Sequence, residues 1–334
     1  MLYQNSFFIK KLSSIIFIGY SDLFQSLITI NKSLGLKTLI ISSSDQVSKE
    51  DKKRYKIFNK LDKKFKKYIK DNVDIDQTLF VSLGSRFIFK KKDIKEFFRH
   101  NIVNFHGSRL PLDAGGGGMS WRILRGDRID NQLVHLIDDG IDTGPILDYE
   151  KNIFPSDCKI PIQYEKFSKR NFINFYKKFI KKILEKKNFP LISQPKYLGR
   201  YNPRLNSRMN GWIDWNLEPN ELLKFINAFD DPYYGSQTMI NNKKVRIKKT
   251  QIHSGDSSNH PFMTGLISRH DGDWIVVSSV GKEMFLIEEV IDDKNKNIIQ
   301  KLKVGDRFIT PLDKIYLSKK NRPKYNSMGL KKKN

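Results

Sequence analysis

Cysteine is almost absent from this chain: of its 334 residues, only Cys158 is a cysteine. One thiol can form neither an internal disulfide framework nor a metal site built from several cysteines, and its scarcity fits a reducing compartment. Long hydrophobic runs are also missing. Lys10 and Lys11 interrupt the apolar start of the chain well before the roughly 18 apolar residues that a membrane span needs. We therefore expect a cytoplasmic protein with neither a membrane segment nor a signal peptide.

A dinucleotide-binding motif is absent too. The first strand-like segment, residues 14–19, is followed by Tyr20 and Ser21 and not by Gly-x-Gly-x-x-Gly, so a dinucleotide site is not expected. Strand-like and helical patterns nonetheless alternate, which predicts a Rossmann-like α/β fold with a parallel sheet covered by helices. The predicted strands are 14–19, 37–42, 78–82, 102–106, 132–137 and 145–149, and the predicted helices are 21–33, 54–70, 92–99 and 163–187.

The pattern changes after residue 188. Residues 189–204 are polar and contain three prolines, which is typical of a linker. Short strand-like segments separated by turn signals follow, at 237–240, 244–250, 264–268, 274–278 and 284–289, and they predict a small, OB-like β-barrel. We therefore predict a first domain over 1–188, a linker over 189–204, a C-terminal barrel over 205–320 and a basic tail over 321–334.

Basic residues outnumber acidic ones by 61 to 36, which gives a formal net charge of +25. A charge of this size attracts nucleic acids and other anions. However, the lysines are spread along the whole chain, and between residues 166 and 187 they alternate with apolar residues at the spacing of an amphipathic helix. The charge is explained either by a compositional bias or by an anionic partner, such as a nucleic acid or a sugar nucleotide.

The most informative segment is Asn104-Phe105-His106-Gly107-Ser108-Arg109-Leu110-Pro111, together with Asp142 in a later glycine-flanked turn. Side chains alternate along a strand, so Asn104 and His106 share one face at the carboxyl end of the predicted strand. Open α/β sheets bind their ligands at that edge. An amide, an imidazole and a carboxylate are side chains suited to acyl transfer, which needs an oxyanion donor and a proton acceptor.

These residues resemble the motif of formyltransferases that use 10-formyltetrahydrofolate. That motif is Asn-x-His, Ser-x-Leu-Pro, a loop with glycine and, roughly 30 to 40 residues later, Asp-x-Gly. The resemblance implies that Asn104, His106 and Asp142 are catalytic: Asn104 donates to an oxyanion, His106 moves a proton and Asp142 steadies His106. Structural alternatives are a capping asparagine, a histidine bonded to backbone and an aspartate in an Asx turn.

The resemblance implies two further sets of residues. Those expected to bind the folate are Ser85, Arg86, Phe87, Ile88, Asp139 and Gly140. Those expected in the loop beside the acceptor are Ser108, Gly116, Gly117 and Trp121. Ser108 has no base in register, so we expect it to shape the loop and not to act as a nucleophile, while Arg86 is alternatively a surface arginine. The glycine run 115–118 predicts either a mobile lid or a loose surface turn. No metal is expected.

Segments after residue 205 resemble the C-terminal domain shared by two kinds of formyltransferase, those acting on initiator methionyl-tRNA and those acting on nucleotide-linked amino sugars. The segments are 211–215, 231–235 and 304–308. Ser120-Trp121 favours an amino-sugar acceptor, because the amino-sugar enzymes that the chain resembles tend to have a polar residue before a tryptophan at this position. The basic charge favours tRNA, although residues 43–53 lack the proline and glycine that tRNA enzymes often carry there. A catalytically silent RNA-binding protein is a third reading, and a homodimer is left open.

Overall fold

The computed structural model of the protein describes residues 6–48, 50–115, 118–322, 325–326 and 329–330. Its helices are α1 Phe24–Ser33, α2 Lys63–Asn72, α3 Lys91–Glu96, α4 Gly118–Leu124, α5 Pro161–Leu184, α6 Ser207–Asn210, α7 Pro219–Ala228 and α8 Leu312–Lys320. The strands up to residue 202 are β1 Ser6–Phe7, β2 Ser14–Gly19, β3 Lys37–Ser42, β4 Lys56–Ile57, β5 Thr78–Leu83, β6 Ile102–His106, β7 Ala114–Gly115, β8 Ile129–Leu136, β9 Ile146–Ile153, β10 Phe189–Pro190 and β11 Tyr201–Asn202. The later strands are β12 Ser236–Ile240, β13 Lys243–Asn259, β14 Ile267–Asp271, β15 Trp274–Ser278, β16 Gly281–Ile291, β17 Phe308–Ile309, β18 Tyr325–Asn326 and β19 Gly329–Leu330.

The first domain is built on a seven-stranded sheet in the order β4-β3-β2-β5-β6-β8-β9. The first five strands in this order, β4, β3, β2, β5 and β6, run parallel to one another, as the Rossmann-like prediction requires. The last two strands differ from it, because β8 runs antiparallel to both β6 and β9. A turn of only nine residues joins β8 to β9, whereas a parallel pair needs a long crossover connection. The sheet is therefore mixed.

Helices cover both faces of this sheet. On one face, Phe105 of β6 packs edge-on against Phe172, Phe175 and Phe179 of α5, and on the other, α2 and α3 pack over a second apolar cluster. The helix predicted over 54–70 is shorter than expected. Residues 56–57 pair with β3 as strand β4, and α2 begins only at Lys63, where the Asp62 carboxylate accepts a hydrogen bond from the backbone N–H of Phe65 (3.0 Å).

The second domain is an antiparallel sheet in the order β14-β15-β16-β13-β12-β17. A bridge between Leu266 and Arg307 links its two edges, so the sheet curls around an apolar core that includes Ile247, Phe285 and Phe308. This confirms the predicted barrel-like C-terminal fold. Strand β15 has the predicted bounds, while β13 and β16 are longer than predicted.

The segment predicted as a linker is fixed against the first domain. Strand β10 pairs with β1, and β11 pairs with β7, whose second residue, Gly115, is the first of the glycine run. The indole N–H of Trp121 donates to the carbonyl of Pro203 (2.7 Å), and the Ser120 hydroxyl donates to the carbonyl of Ala228 in α7 (2.8 Å). Helix α4 is therefore bound both to this segment and to the second domain.

None of the helices in the described ranges combines the length and the apolar character required to cross a bilayer.

Candidate active site

Strand β6 places Asn104 and His106 at the carboxyl edge of the mixed sheet. Phe105 between them is 3% exposed and lies in the core under α5, so its two neighbours point to the opposite face. The His106 side chain is 22% exposed. Sheet geometry thus brings the two predicted residues to one face, within reach of a ligand.

Asp142 lies in the turn between β8 and β9 with a φ of +56°, a conformation that is uncommon for a residue with a side chain. The Asp138 carboxylate braces this turn from within, since its Oδ1 accepts from the backbone N–H of Gly140 (3.1 Å) and from the Thr143 hydroxyl (2.7 Å). A Cβ at Gly144 would lie 1.8 Å from the carbonyl oxygen of Leu136. Only glycine therefore allows the turn to approach the end of β8 so closely.

The turn brings the Asp142 carboxylate to both strand residues. Its Oδ1 lies 3.3 Å from Nδ2 of Asn104 and 4.0 Å from Nδ1 of His106. The first distance is a long hydrogen bond and the second exceeds one, so in the absence of substrate the contact with His106 is electrostatic. Catalytic hydrogen bonds are often long in unliganded enzymes and shorten when substrate binds.

His135 is a fourth member of this cluster, and the sequence analysis assigned it no role. It lies opposite Asn104 in the antiparallel register of β6 and β8. Its Nδ1 is 2.8 Å from the carbonyl of Leu136, which can only accept, so Nδ1 carries the proton. Nε2 then accepts from Nδ2 of Asn104 (3.2 Å). Predicting that β8 pairs antiparallel with β6 would have identified His135 as the cross-strand neighbour of Asn104.

Burial sets the protonation of both histidines. It lowers the pKa of His106, an effect that His135 and Arg122 reinforce and that the nearby Asp142 carboxylate opposes. Burial also lowers the pKa of His135. Because the ordinary value is about 6.5, both rings are neutral at pH 7. A neutral imidazole can accept a proton, which is what general base catalysis requires.

Arg122 on α4 is a second residue that the sequence analysis missed. It is 3% exposed, it donates to the carbonyl of Gly107, and its Nη1 lies 3.8 Å from Oδ1 of Asp130. Asp130 is itself fully buried and accepts hydrogen bonds from Gln132, Ser168 and Asn171. This buried charge pair fixes the backbone immediately after His106.

The predicted folate-binding residues lie on two segments, one directly after β5 and one in the turn between β8 and β9. After β5, Arg86 pairs with Asp45, Ser85 accepts from the backbone N–H of Phe87 (3.1 Å), and Ile88 is 86% exposed. Phe87 packs partly into the apolar cluster under α2 and α3. Asp139 and Gly140 are exposed on the Asp142 turn, next to Ile141, which is 90% exposed. Each segment therefore presents one open isoleucine.

The predicted acceptor-loop residues are placed differently from one another. Ser108 is buried, and its hydroxyl donates to the carbonyl of Asp113 (3.0 Å), which agrees with a role in loop shape. The indole N–H of Trp121 is bonded to the carbonyl of Pro203. Gly116 and Gly117 lie outside the described residues.

A cavity of about 510 Å³ lies where the two domains meet. Its lining does not include Asn104, His106 or Asp142. No group of three histidine, cysteine, aspartate or glutamate side chains with a metal-binding arrangement occurs in the described part of the chain.

Comparison with known families gives the cluster its context. Residues 14–165 match the family model described as formyl transferase, and residues 207–303 match the formyl transferase C-terminal domain. The two segments together span about three quarters of the chain. The chain belongs to the formyl transferase family. All four residues of the cluster in this formyl transferase lie within the first matched segment.

Curated relatives of this formyl transferase include two methionyl-tRNA formyltransferases. The protein from Thermodesulfovibrio yellowstonii is 25% identical over 192 residues, which cover 57% of this chain and 58% of the relative. The protein from Clostridium perfringens strain 13 is 24% identical over 227 residues, which cover 68% of this chain and 70% of the relative. The chain thus spans 58% and 70% of the length of these two relatives.

Solved structures share the fold of this formyl transferase. The N-formyltransferase from Helicobacter canadensis, in complex with folinic acid and dTDP-3-aminofucose, superposes with a TM-score of 0.62 at 17% identity, over 83% of this chain and 99% of that one. The sugar 3N-formyltransferase WlaRD, with dTDP and 5-N-formyl-THF present, gives a TM-score of 0.59 at 21% identity, over 83% and 97% of the two chains.

Proposed function

We propose that this formyl transferase moves the formyl group of 10-formyltetrahydrofolate to a primary amine. The observation that carries the proposal is the position of the Asp142 carboxylate, whose Oδ1 lies 3.3 Å from the Asn104 amide and 4.0 Å from the His106 ring. An oxyanion donor, a neutral base and a carboxylate that orients the base are the groups that acyl transfer to an amine requires. Membership in the formyl transferase family supports this reaction.

His106 takes the role of proton carrier in this proposal. The amine attacks the formyl carbon in its neutral form and must then lose a proton, while the folate nitrogen must gain one as it leaves. A neutral His106 accepts the first proton and supplies the second, and the Asp142 carboxylate stabilises the imidazolium that forms between the two steps. Burial favours the neutral starting state because it lowers the pKa of His106.

Asn104 takes the role of oxyanion donor. In the structure its Nδ2 hydrogens are directed to Asp142 (3.3 Å) and His135 (3.2 Å), and both contacts are longer than the usual 2.9–3.0 Å. One of these weak bonds is exchanged for a bond to the formyl oxygen as negative charge develops there. A charge-assisted hydrogen bond is about twice as strong as a neutral one, so the exchange favours the transition state over the ground state.

The residues of the two predicted folate-binding segments fit a folate. A pterin presents amide-like donors and acceptors along its edge and two apolar faces, and ligand sites of this kind combine apolar side chains with a few polar backbone groups. Ile88 and Ile141 are 86% and 90% exposed on the two predicted folate-binding segments. A bound folate that packs on these two side chains would remove them from water.

For the acceptor, we propose an amino sugar on a nucleotide carrier. The H. canadensis and WlaRD proteins, named as N-formyl and sugar formyl transferases, match over 83% of this chain, which supports this choice. Ser120 and Trp121 use their donors on the carbonyls of Ala228 and Pro203. The second candidate is methionyl-tRNA, supported by the curated relatives and by the net charge of +25.

The deciding experiment follows release of tetrahydrofolate by the purified full chain, with a panel of nucleotide-linked amino sugars and, separately, with charged initiator tRNA. We expect turnover with a sugar nucleotide that changes little with ionic strength. Turnover only with tRNA, falling steeply as salt rises, would identify the second candidate. A chain that binds RNA and turns over neither acceptor would contradict the proposal and favour a silent scaffold.

A further inference from the structure

Gln194 connects the segment between the two domains to the Asp142 turn. Its Nε2 lies 3.1 Å from the carbonyl oxygen of Asp142 and 2.6 Å from that of Gly144. A side-chain amide nitrogen carries two hydrogens, so it can donate to both carbonyls at once. These two residues are 52 and 50 positions away along the chain, and the contact is therefore purely tertiary.

The backbone beside Gln194 is fixed to the same region. Ile192 and Ile146 exchange two backbone hydrogen bonds of 2.8 and 2.9 Å at the start of β9. The turn is consequently braced from two sides: Asp138 accepts from the Gly140 N–H and the Thr143 hydroxyl inside it, and Gln194 donates to two of its carbonyl groups from outside. A backbone at φ +56° persists only where its surroundings hold it.

We propose that Gln194 is a positioning residue for formyl transfer, holding the Asp142 turn so that Oδ1 faces both Asn104 and His106. This inference rests on the proposed function. The position of Oδ1 also sets how strongly the Asp142 carboxylate interacts with Asn104 and His106. A small rotation of the turn would move Oδ1 out of reach of both. The segment between the domains thus contributes to the chemistry without touching substrate.

The effect is measurable at His106. Three charged or titratable groups face its ring: the Asp142 carboxylate raises its pKa, while His135 and Arg122 lower it, as burial does. When the turn relaxes, Asp142 raises the pKa of His106 less, while burial, His135 and Arg122 still lower it. The pKa of His106 therefore falls when Gln194 loses its two donors, whereas a general loss of packing would expose the ring and raise it.

The test compares Gln194→Ala with Ser193→Ala, a change at the exposed neighbouring side chain. Gln194→Met is a second variant that keeps roughly the size of the side chain and removes both donors without adding a charge. For both Gln194 variants we expect kcat/KM to fall about 10- to 100-fold, as small misplacements of catalytic groups do. In an Asp142→Asn background, Gln194→Ala should add little further loss.

An NMR titration of ¹³C-labelled histidine, assigned with His106→Gln and His135→Gln, supplies a readout that needs no turnover. The expected result is a lower pKa for His106 in both Gln194 variants and an unchanged value in Ser193→Ala. If the wild-type chain formylates nothing, the proposed function fails while the titration still tests the positioning. Wild-type titration of His106 in a folded Gln194→Met or Gln194→Ala protein would overturn the proposal.

Discussion

Asn104 and His135 face each other across the antiparallel strands β6 and β8, with Nδ2 of Asn104 3.2 Å from Nε2 of His135. The other ring nitrogen of His135 donates to the carbonyl of Leu136, which fixes the orientation of the ring. His135 therefore restrains the amide that is proposed to meet the oxyanion. It is neither proton carrier nor nucleophile in this arrangement, and acts by holding Asn104.

Replacing His135 by phenylalanine should harm both stability and activity. The ring volume stays similar, but the buried carbonyl of Leu136 and one Asn104 hydrogen lose their partner. We expect a loss of about 1–3 kcal/mol in the free energy of unfolding, measured by urea denaturation, together with a lower kcat. The control is His253→Phe, at a half-buried position in β13. Unchanged stability and kcat in His135→Phe would show that the contact is incidental.

Neutralising Asp142 should shift the pH profile. The carboxylate raises the pKa of His106, so Asp142→Asn lowers that pKa further below the ordinary value of about 6.5. Activity requires the neutral ring, hence the acidic limb of the kcat/KM profile moves to lower pH, and the maximum falls by roughly 10²- to 10⁴-fold. Asp71→Asn, at an exposed position in α2, serves as the control. A limb that moves to higher pH would refute this account of His106.

Gly144→Ala tests the close approach of the turn. The added Cβ would lie 1.8 Å from the backbone oxygen of Leu136, so the turn has to move and carries Asp142 with it. We expect kcat to fall although every catalytic side chain is still present. The pKa of His106, followed by NMR, should drop as in Asp142→Asn. Full activity in this variant would mean that the position of the turn is not critical.

The buried Arg122 should matter mainly for stability. Arg122→Met removes the donor to Gly107 and leaves the Asp130 carboxylate without its cation, and breaking a buried charge pair costs about 3–5 kcal/mol. Denaturation of this variant and of Arg170→Met, at an exposed position on α5, measures the difference. Because Arg122 lowers the pKa of His106, the acidic limb should move to higher pH. Equal stability of the two variants would show that the Arg122–Asp130 pair does not stabilise the fold.

The two exposed isoleucines should affect the formyl donor alone. Ile88→Ser and Ile141→Ser each remove an apolar contact that we expect only when folate is bound, so KM for 10-formyltetrahydrofolate rises by about tenfold. A constant kcat would identify the loss as uniform binding energy. Ile153→Ser, 72% exposed on β9, is the matched control. An equal rise in KM for the control would point to a nonspecific effect.

The part of the site that the sequence predicted is the part encoded locally. Alternation along a strand is enough to place Asn104 and His106 on one face, and the Asp-Thr-Gly spacing of the family motif indicates Asp142. His135, Arg122 and Gln194 were missed because their roles depend on tertiary pairing: an antiparallel register, a buried charge pair and a contact across 52 residues. None of these leaves a periodic pattern or a motif.

The same distinction between local pattern and tertiary pairing explains which parts of the fold could be predicted from the sequence. Strand 14–19 was predicted with its observed bounds because it is buried along its whole length and reads as a nearly continuous apolar run. Strand 37–42 also has its predicted bounds, although only Ile41 and Ser42 in it are buried. The orientation of β8 was not predictable from its residues, since a strand has the same composition in either direction. The segment 189–204 looks like a linker because prolines and polar residues dominate it, yet its backbone pairs with β1 and β7.

The most direct test of the central claim is the transfer of a ¹³C-labelled formyl group from 10-formyltetrahydrofolate to an acceptor amine, detected by mass spectrometry. Wild-type protein and His106→Gln are compared at equal folded concentration, with thermal unfolding confirming that the variant is intact. The account predicts labelled product with a nucleotide-linked amino sugar and a loss of roughly 10²- to 10⁴-fold in rate for His106→Gln. Labelled product formed equally fast by the folded variant would contradict the claim that this cluster carries out the reaction.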